Sequence, residues 1–335
     1  MTISSWGDRA LASARERVAR ARAKRDAAAS AESFSWALPE DDRPVSQSLP
    51  SLAEPEKLRF SGLVFIVVGA LLLGFAVQFV GVSQISYARD QQLALQDFRY
   101  QLANATAPVG QVGQDGKLLP LGTPVAIVAA ESIGLNEVVL EGTTSDITKS
   151  GPGHRRDTPL PGQAGASVIY GRQAAFGAPF ASISKLAVGD AITATTGQGV
   201  ATYTVTDVRY TGDPVPAGLE TNEGRLTLVS ASGTPFIPQT IVRVDATLTS
   251  QVQPTPDRVL TYAAISDSEV TMAGNGSAWP LVLLALILLL VAAAIFTISR
   301  RFWGVWQTWV VAIPVLVAIG LFAAQQVGTL LPNVM

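Results

Sequence analysis

Residues 224 to 233 read GRLTLVSASG, an apolar strand pattern that runs into a turn of small residues carrying Ser230 and Ser232. A serine attacks a carbonyl group only when a neighbouring base removes its proton. The chain has one histidine, His154, and no cysteine, so it excludes thiol nucleophiles and leaves almost nothing from which to build a Ser-His-Asp triad. A serine-dependent hydrolase or transpeptidase is therefore the least favoured of the functions considered below.

Composition excludes several other classes of protein. The 335 residues are 48% hydrophobic and 15% charged, and their net charge is -2, with a pI near 5.5. With so few basic residues we expect no nucleic-acid partner. We predict no metal site and no cofactor, because one histidine without cysteines cannot form a zinc site and the Gly197-Gln198-Gly199 turn lacks the Lys-Ser/Thr of a phosphate loop. The run Asp267-Ser268-Glu269 has no metal-loop spacing and is expected to be a solvated part of a linker.

Three apolar stretches approach the length of about 20 residues that a helix needs to cross a bilayer. They run from about Phe60 to Val82, from Trp279 to Ser299 and from about Trp306 to Ala324, and none contains a charged residue. A mean hydropathy of +0.32 agrees with a soluble domain joined to membrane segments. We predict three transmembrane helices, over residues 58–82, 278–299 and 306–326.

Arginine and lysine residues predict the orientation of these helices. They are concentrated in the leader, residues 1–57, and recur as Arg300 and Arg301 in the predicted turn 300–305. The positive-inside rule places both regions in the cytoplasm of a plasma-membrane protein, with residues 83–277 and the tail 327–335 outside. The Ala- and Arg-rich part of the leader is either a solvated helix or a helix that contacts anionic membrane lipids.

The external part divides into a helix and a β-rich domain. An apolar stripe at helical spacing predicts a helix from Ile85 to about Leu102, within the segment 83–108. Residues 109–250 contain seven or eight short Val-, Ile- and Thr-rich runs separated by turn residues, which is typical of a small β-barrel or sandwich. A tether rich in Pro, Gly and Ser, residues 251–277, then leads to the second predicted span.

The order of motifs in this domain resembles the sortases, cysteine transpeptidases that attach secreted proteins to Gram-positive cell walls. The resemblance covers roughly Pro124 to Leu248, and its most specific parts are Gly151-Pro152-Gly153-His154, the Pro161 to Gly165 turn, and Phe180, Leu186, Gly189, Asp190 and Ile192. It implies a mainly β fold: a closed sortase-like β-barrel with short helices, displayed at the surface of an actinobacterial-type cell.

The catalytic positions of that family are not matched. Arg172 stands where the family's histidine is expected, and Ala231 stands where its cysteine is expected. The family's arginine position falls on Gln239 or, with another alignment of the turn, on Arg243. His154 matches a turn and is expected to bond to the backbone or to contribute to ligand binding. Arg172 is expected either to pair with an acid such as Asp157 or Glu220, or to bind an anionic ligand or peptide carboxylate.

These substitutions predict a catalytically inactive homologue, with no catalytic residue and with His154, Arg172, Ser230 and Ser232 as candidate groove residues. The first hypothesis is a membrane-anchored pseudoenzyme of the cell envelope that binds or positions a secreted or surface protein, a pilus component or an active sortase. The second is a structural subunit of a membrane complex, assembled through transmembrane helices that carry small residues such as Ala318 and Gly320.

Overall fold

A computed structural model describes residues 15–27, 68–69 and 72–335. The chain divides into two compact units, Met1–Ser61 and Gly62–Met335. In the first unit the described residues form one exposed helix, α1 (residues 15–27), within the Arg- and Ala-rich leader. The rest of the leader, and residues 58–67, 70 and 71 of the first predicted span, lie outside the described residues.

The second unit contains a closed barrel of eight strands in the order β1-β2-β3-β4-β7-β8-β6-β5. The barrel lies within residues 109–250, where the sequence predicts it, and it confirms the closed-barrel prediction. The β4–β7 and β2–β3 pairs are parallel, and all other pairs are antiparallel. The strands are β1 (Pro124–Ala130), β2 (Leu135–Glu141), β3 (Gly153–His154), β4 (Gly165–Tyr170), β5 (Ala191–Thr196), β6 (Gly199–Tyr210), β7 (Gly224–Thr234) and β8 (Ile237–Leu248).

Alternation along β7 separates the barrel core from its outer face. Leu226 and Leu228 belong to the buried core inside the barrel, whereas Val229 and Ala231 belong to a second, smaller apolar cluster. Successive side chains of a strand point to opposite faces of the sheet, so these two clusters lie on the two faces of β7. Burying one such aliphatic side chain contributes about 1.5–3 kcal/mol, which explains why the register of β7 is fixed.

A long helix leads into the barrel. Residues 72–77 are helical and continue through a π-helical turn, Gln78–Val82, into α2 (Ser83–Ala103), which contains the predicted helix. Tyr87 and Gln91 attach α2 to β2: the Tyr87 hydroxyl lies 2.7 Å from a Glu137 carboxylate oxygen, and the Gln91 amide oxygen accepts from the Val138 N–H at 2.8 Å. A one-turn helix, α3 (Ser145–Thr148), follows β2.

The chain continues from the barrel into a helical hairpin of α4 (Trp279–Trp303) and α5 (Val305–Leu330). These are the two helices in the described part of the chain that are long and apolar enough to span a membrane. The predicted turn 300–305 shortens to Gly304, whose φ of 83° favours glycine, and α5 continues beyond the predicted end at residue 326.

The predicted tether packs along the barrel. The Gln253 N–H donates to Gly162 O at 2.8 Å, and the Leu260 N–H donates to the Gln111 side chain at 2.7 Å. Glu269 is buried and lies 3.5 Å from Arg156, so the expectation that the Asp267-Ser268-Glu269 run is solvated is wrong for Glu269. Burial raises the pKa of Glu269, and the Arg156 guanidinium opposes this shift.

Candidate functional site

An apolar groove lies on the outer face of the sheet where β4 and β7 end. Tyr170, Val229 and Ala231 form its buried wall, and Ile241, which is opposite Ala231 in the β7–β8 register, packs beside them. Met272 closes the groove from the segment that follows the barrel. Because β4 and β7 are parallel, their carboxyl ends meet at this one edge.

The last segment of the sequence, Leu331–Met335, occupies this groove. The Val334 side chain is fully buried in the same cluster as Tyr170, Val229 and Ala231. A hydrogen bond from the Met335 N–H to Pro332 O closes the segment into a turn. The sequence predicts residues 327–335 as an external tail and gives no indication that part of it fills the groove.

Two main-chain donors converge on the Val334 carbonyl oxygen. The Ala231 N–H donates to it at 3.1 Å and the Gln173 N–H at 3.2 Å, and the Ser230 hydroxyl lies 3.5 Å from it. Paired N–H groups aimed at one carbonyl oxygen polarise that carbonyl, as oxyanion holes do in acyl-transfer enzymes. Here the methyl group of Ala231 offers no nucleophile beside it.

Arg172 is fully buried at the floor of the groove. Its Nη2 donates to Ser145 Oγ at 2.7 Å and to Ser145 O at 3.0 Å, and its Nη1 donates to Pro332 O at 3.3 Å and to Met335 O at 3.4 Å. The guanidinium also stacks over Phe176, 5.1 Å from the ring centroid. Burial lowers the pKa of Arg172 to about 9, while the nearby Asp146 carboxylate opposes this shift. The group therefore keeps its proton at neutral pH.

The expected ion-pair partners of Arg172 are not beside it. Asp157 pairs with Arg155 at 2.8 Å, and Glu220 is exposed. The four donated hydrogen bonds go instead to a hydroxyl and to three main-chain oxygens, two of which belong to Leu331–Met335. Arg172 thus binds main-chain oxygens of the segment Leu331–Met335 and does not form an ion pair with Asp157 or Glu220.

Asn333 holds the segment from the opposite side. It is fully buried, and its Nδ2 donates to Thr143 O at 2.7 Å and to Val270 O at 2.9 Å. The Asn333 N–H donates to Ala273 O at 2.9 Å. Because its Nδ2 group is paired with two main-chain oxygens, Asn333 fixes the depth at which the segment enters the groove.

The remaining candidates differ in their relation to the groove. Ser230 is buried and donates to Gly171 O at 2.8 Å, while Ser232 is half-buried. Gln239 is exposed at the bulge between β7 and β8, and Arg243 lies opposite Val229 in the register of these strands. Arg172, Ala231 and Ser230 therefore meet at one segment, and Ser232 and Gln239 lie near its rim.

His154 lies elsewhere. It is opposite Ile169, a core residue inside the barrel, and it lines a separate cavity of about 100 Å³ together with Gly110, Thr158 and Pro256. None of the groove residues lines that cavity. The expected bond to backbone is present, since His154 Nε2 lies 3.0 Å from Pro159 O.

His154 and Glu141 form a buried pair of an imidazole and a carboxylate. His154 Nδ1 lies 2.9 Å from Glu141 Oε2, and both groups are almost fully buried. Burial is the largest single influence and lowers the pKa of His154, but the Glu141 carboxylate, Pro159 O and Asp157 together raise this pKa above its usual value. With acceptors at both ring nitrogens, the protonated imidazolium is the form that fits.

Sequence reasoning missed the groups that hold the segment from outside the two strands: Thr143, Ser145, Gln173 and Val270. Their roles are carried mostly by main-chain atoms, which leave no residue-type signal. The Pro332-Asn333 turn directly after an apolar helix was the one available indication, because a turn-forming pair has no obvious use in a free tail.

Comparison with known proteins gives relatives of the barrel. The family model of the sortase domain matches residues 128–242. A search of curated proteins gives no match. Among solved structures, a sortase D5 transpeptidase of Clostridium perfringens is 22% identical over 48% of this chain and 99% of that chain, with a TM-score of 0.40.

Two further structures show the same range of similarity. Sortase A of Corynebacterium diphtheriae, as a lid mutant, is 16% identical over 48% of this chain and 94% of that chain, with a TM-score of 0.37. A sortase C of Clostridium perfringens, solved with the C-terminal cell wall sorting motif, is 21% identical over 48% of this chain and 89% of that chain, also with a TM-score of 0.37. At these identities the likeness concerns the fold alone.

Proposed function

We propose that this chain, whose residues 128–242 match the sortase domain model, is a membrane-anchored sortase-fold pseudoenzyme whose groove binds a peptide segment without cleaving it. Sortases act on surface proteins that carry a sorting motif, so the proposed client is a secreted or surface protein, a pilus component or an active sortase.

One observation carries this proposal: the Val334 carbonyl accepts main-chain hydrogen bonds from Gln173 and from Ala231, the position that the sequence resemblance gives to the family's cysteine. The groove therefore keeps the means to hold a peptide carbonyl. Ala231 has no atom that can attack that carbonyl. Arg172, at the position that the sequence resemblance gives to the family's histidine, stays protonated at neutral pH and therefore cannot act as a base.

The helical hairpin supports placing the barrel and Leu331–Met335 on one side of a membrane. The Asn275 N–H donates to Thr329 O at 2.9 Å, so the start of α4 and the end of α5 lie together beside the barrel. Arg300 is at the far end of the hairpin, where the positive-inside rule places the cytoplasm. The proposed topology has the first span 58–82 as a third transmembrane helix and the barrel outside the cell.

A second candidate function is a structural subunit of a membrane complex. A cavity of about 270 Å³, almost entirely apolar, lies between residues 73–77, α4 and α5. Gly320 is buried beside this cavity, whereas Ala318 is on the exposed face of α5 and is available to a partner helix. Extraction in mild detergent as a monomer alone would remove this candidate.

Photo-crosslinking in the native host tests the first function. Gln239 is the position for a photoreactive residue, because it is exposed at the groove rim, whereas a group at Ala231 would react with Val334. Val200 is the matched control, since it is 61% exposed and is the second residue of β6, away from the ends of β4 and β7.

We expect one discrete secreted or surface protein in the Gln239 adduct and not in the Val200 adduct. Identical adducts from both positions, or none from either, would contradict client binding at the groove.

A further inference from the structure

The segment Leu331–Met335 contacts the groove as a bound peptide does. Its hydrogen bonds go to four separate parts of the chain: the loop before α3, the end of β4, the end of β7 and residues 270–273. Ser145 Oγ donates to Leu331 O at 2.8 Å, Arg172 to Pro332 O, and Ala231 to Val334 O. One apolar side chain of the segment, Val334, packs against Tyr170, Val229 and Ala231 in the groove.

The fit of this segment leaves some groups unsatisfied. Arg172 Nε and Asn333 Oδ1 are buried and have no hydrogen-bond partner among the described residues. The two bonds from Arg172 Nη1 to the segment, at 3.3 and 3.4 Å, are longer than the usual N–H···O distance of about 2.9 Å. An unsatisfied buried donor and an unsatisfied buried acceptor both reduce the free-energy gain of keeping the segment in place.

The segment is also tethered to the groove by α5. The Asn275 N–H holds Thr329 O, and Gly274 packs so closely on Leu330 that a Cβ atom at position 274 would overlap the Leu330 main-chain oxygen. A ligand joined so directly to its site competes at an effective concentration of about millimolar or higher. A free peptide of similar affinity is therefore excluded while the segment is in place.

We propose that Leu331–Met335 is a tethered, displaceable ligand that closes the groove, and that the groove receives another peptide only when this segment leaves. The inference rests on the proposed function, because it concerns the same groove. The contacts that become free when the segment leaves define the ligand class, which is a peptide. One of its main-chain oxygens accepts from the Gln173 and Ala231 N–H groups, and a second accepts from Arg172. A small branched apolar side chain lies between Tyr170 and Val229.

Single cysteines in this cysteine-free chain measure release of the segment. Three variants of the full chain in detergent micelles are treated with a thiol reagent. Val334→Cys reports release, Val244→Cys in the barrel core reports global unfolding, and Val200→Cys reports a permanently exposed site. We expect Val334→Cys to react at least tenfold faster than Val244→Cys and more slowly than Val200→Cys.

Asn333→Ala weakens the segment without touching the groove walls. Loss of its two side-chain hydrogen bonds should raise the Val334→Cys rate about tenfold or more and leave the Val244→Cys rate unchanged, which shows that the barrel stays folded. A fluorescent peptide with the sequence of residues 329–335 should bind this variant at least tenfold more tightly than it binds the parent chain.

Equal labelling rates for Val334→Cys and Val244→Cys would overturn this inference, because the segment would then leave only when the barrel unfolds. Crosslinking from Gln239 is an independent readout of the proposed function. Protected Val334→Cys with a captured client would contradict only the tethered-ligand inference, whereas rapid Val334→Cys labelling without a client would contradict only client binding.

Discussion

The groove at the ends of β4 and β7 and the cavity beside His154 are two sites of one barrel. They differ in how the hydrogen bonds of their buried polar groups are satisfied. The His154 site contains the more obvious chemistry, a buried imidazole against a carboxylate, yet Glu141 and Pro159 already occupy both ring nitrogens. The groove has no histidine or cysteine, and its donors are main-chain N–H groups, the Ser145 hydroxyl and Arg172, which bind the oxygens of a peptide segment. The comparison teaches that the buried imidazole and carboxylate are satisfied within the barrel itself, whereas the binding site is marked by donors that need an incoming partner.

Glu141→Ala should cause the largest change in stability and should leave the groove unaffected. It removes the carboxylate partner of a fully buried histidine, and breaking a buried pair costs about 3–5 kcal/mol. Hydrogen exchange of the slowest barrel amides measures this free energy of unfolding. Glu131→Ala, at an exposed carboxylate, is the matched control and should change stability by less than about 0.5 kcal/mol.

A Glu141→Ala variant as stable as the control would show that the pair does not stabilise the barrel. The His154 cavity would then need a functional explanation, and the comparison between the two sites would fail.

Arg172→Met tests the groove half of the comparison. The variant loses four hydrogen bonds, but it also removes a charge that burial disfavours, so we expect a destabilisation of only about 1–2 kcal/mol. The local effect should be larger, with faster labelling of Val334→Cys than in the parent chain. Unchanged labelling would mean that Arg172 does not hold the segment.

The pH dependence of the free energy of unfolding should arise from His154. Its folded-state pKa is raised above the usual value of about 6.5, so the stabilisation is fully present below about pH 6.5 and is lost as pH rises through the raised pKa. Asp157 also faces this imidazole and favours its charged form. Hydrogen exchange at a series of pH values, corrected for intrinsic rates, should show this loss in the parent chain and not in Glu141→Gln. The same loss in both chains would assign it to another group.

The extent to which each site follows from the sequence differs for a physical reason. Strand patterns and turn residues predict the barrel between Pro124 and Leu248, because side-chain alternation is a local property of each strand. Arg172 and Ala231 are found by their motifs, and the structure places both at one groove. The occupant of that groove is not predictable, because Leu331–Met335 reaches it through tertiary contacts and main-chain bonds that residue types do not encode.

The predicted and observed ends of the last helix differ, and tertiary contacts again explain the difference. The predicted third span ends at residue 326, where the Gln325-Gln326 pair suggests water, yet α5 continues to Leu330. Contacts of the last turn with Asn275 and the barrel allow it to extend beyond the apolar stretch. Local polarity therefore predicts where the apolar segment ends and not where the helix ends.

Ser230→Ala is the smallest expected change and separates binding from catalysis in the groove. Its hydroxyl donates to Gly171 O, so its loss should cost about 1 kcal/mol of stability. A serine-directed covalent probe should label neither the parent chain nor the variant, because the hydroxyl proton is given to a carbonyl and no described base faces it. Labelling of the parent chain that disappears in Ser230→Ala would show a working nucleophile at the Val334 carbonyl. In that event the Ala231 and Gln173 N–H groups would act as an oxyanion hole and not only as donors that bind a peptide. Of the two sites compared here, the groove would then be the catalytic one.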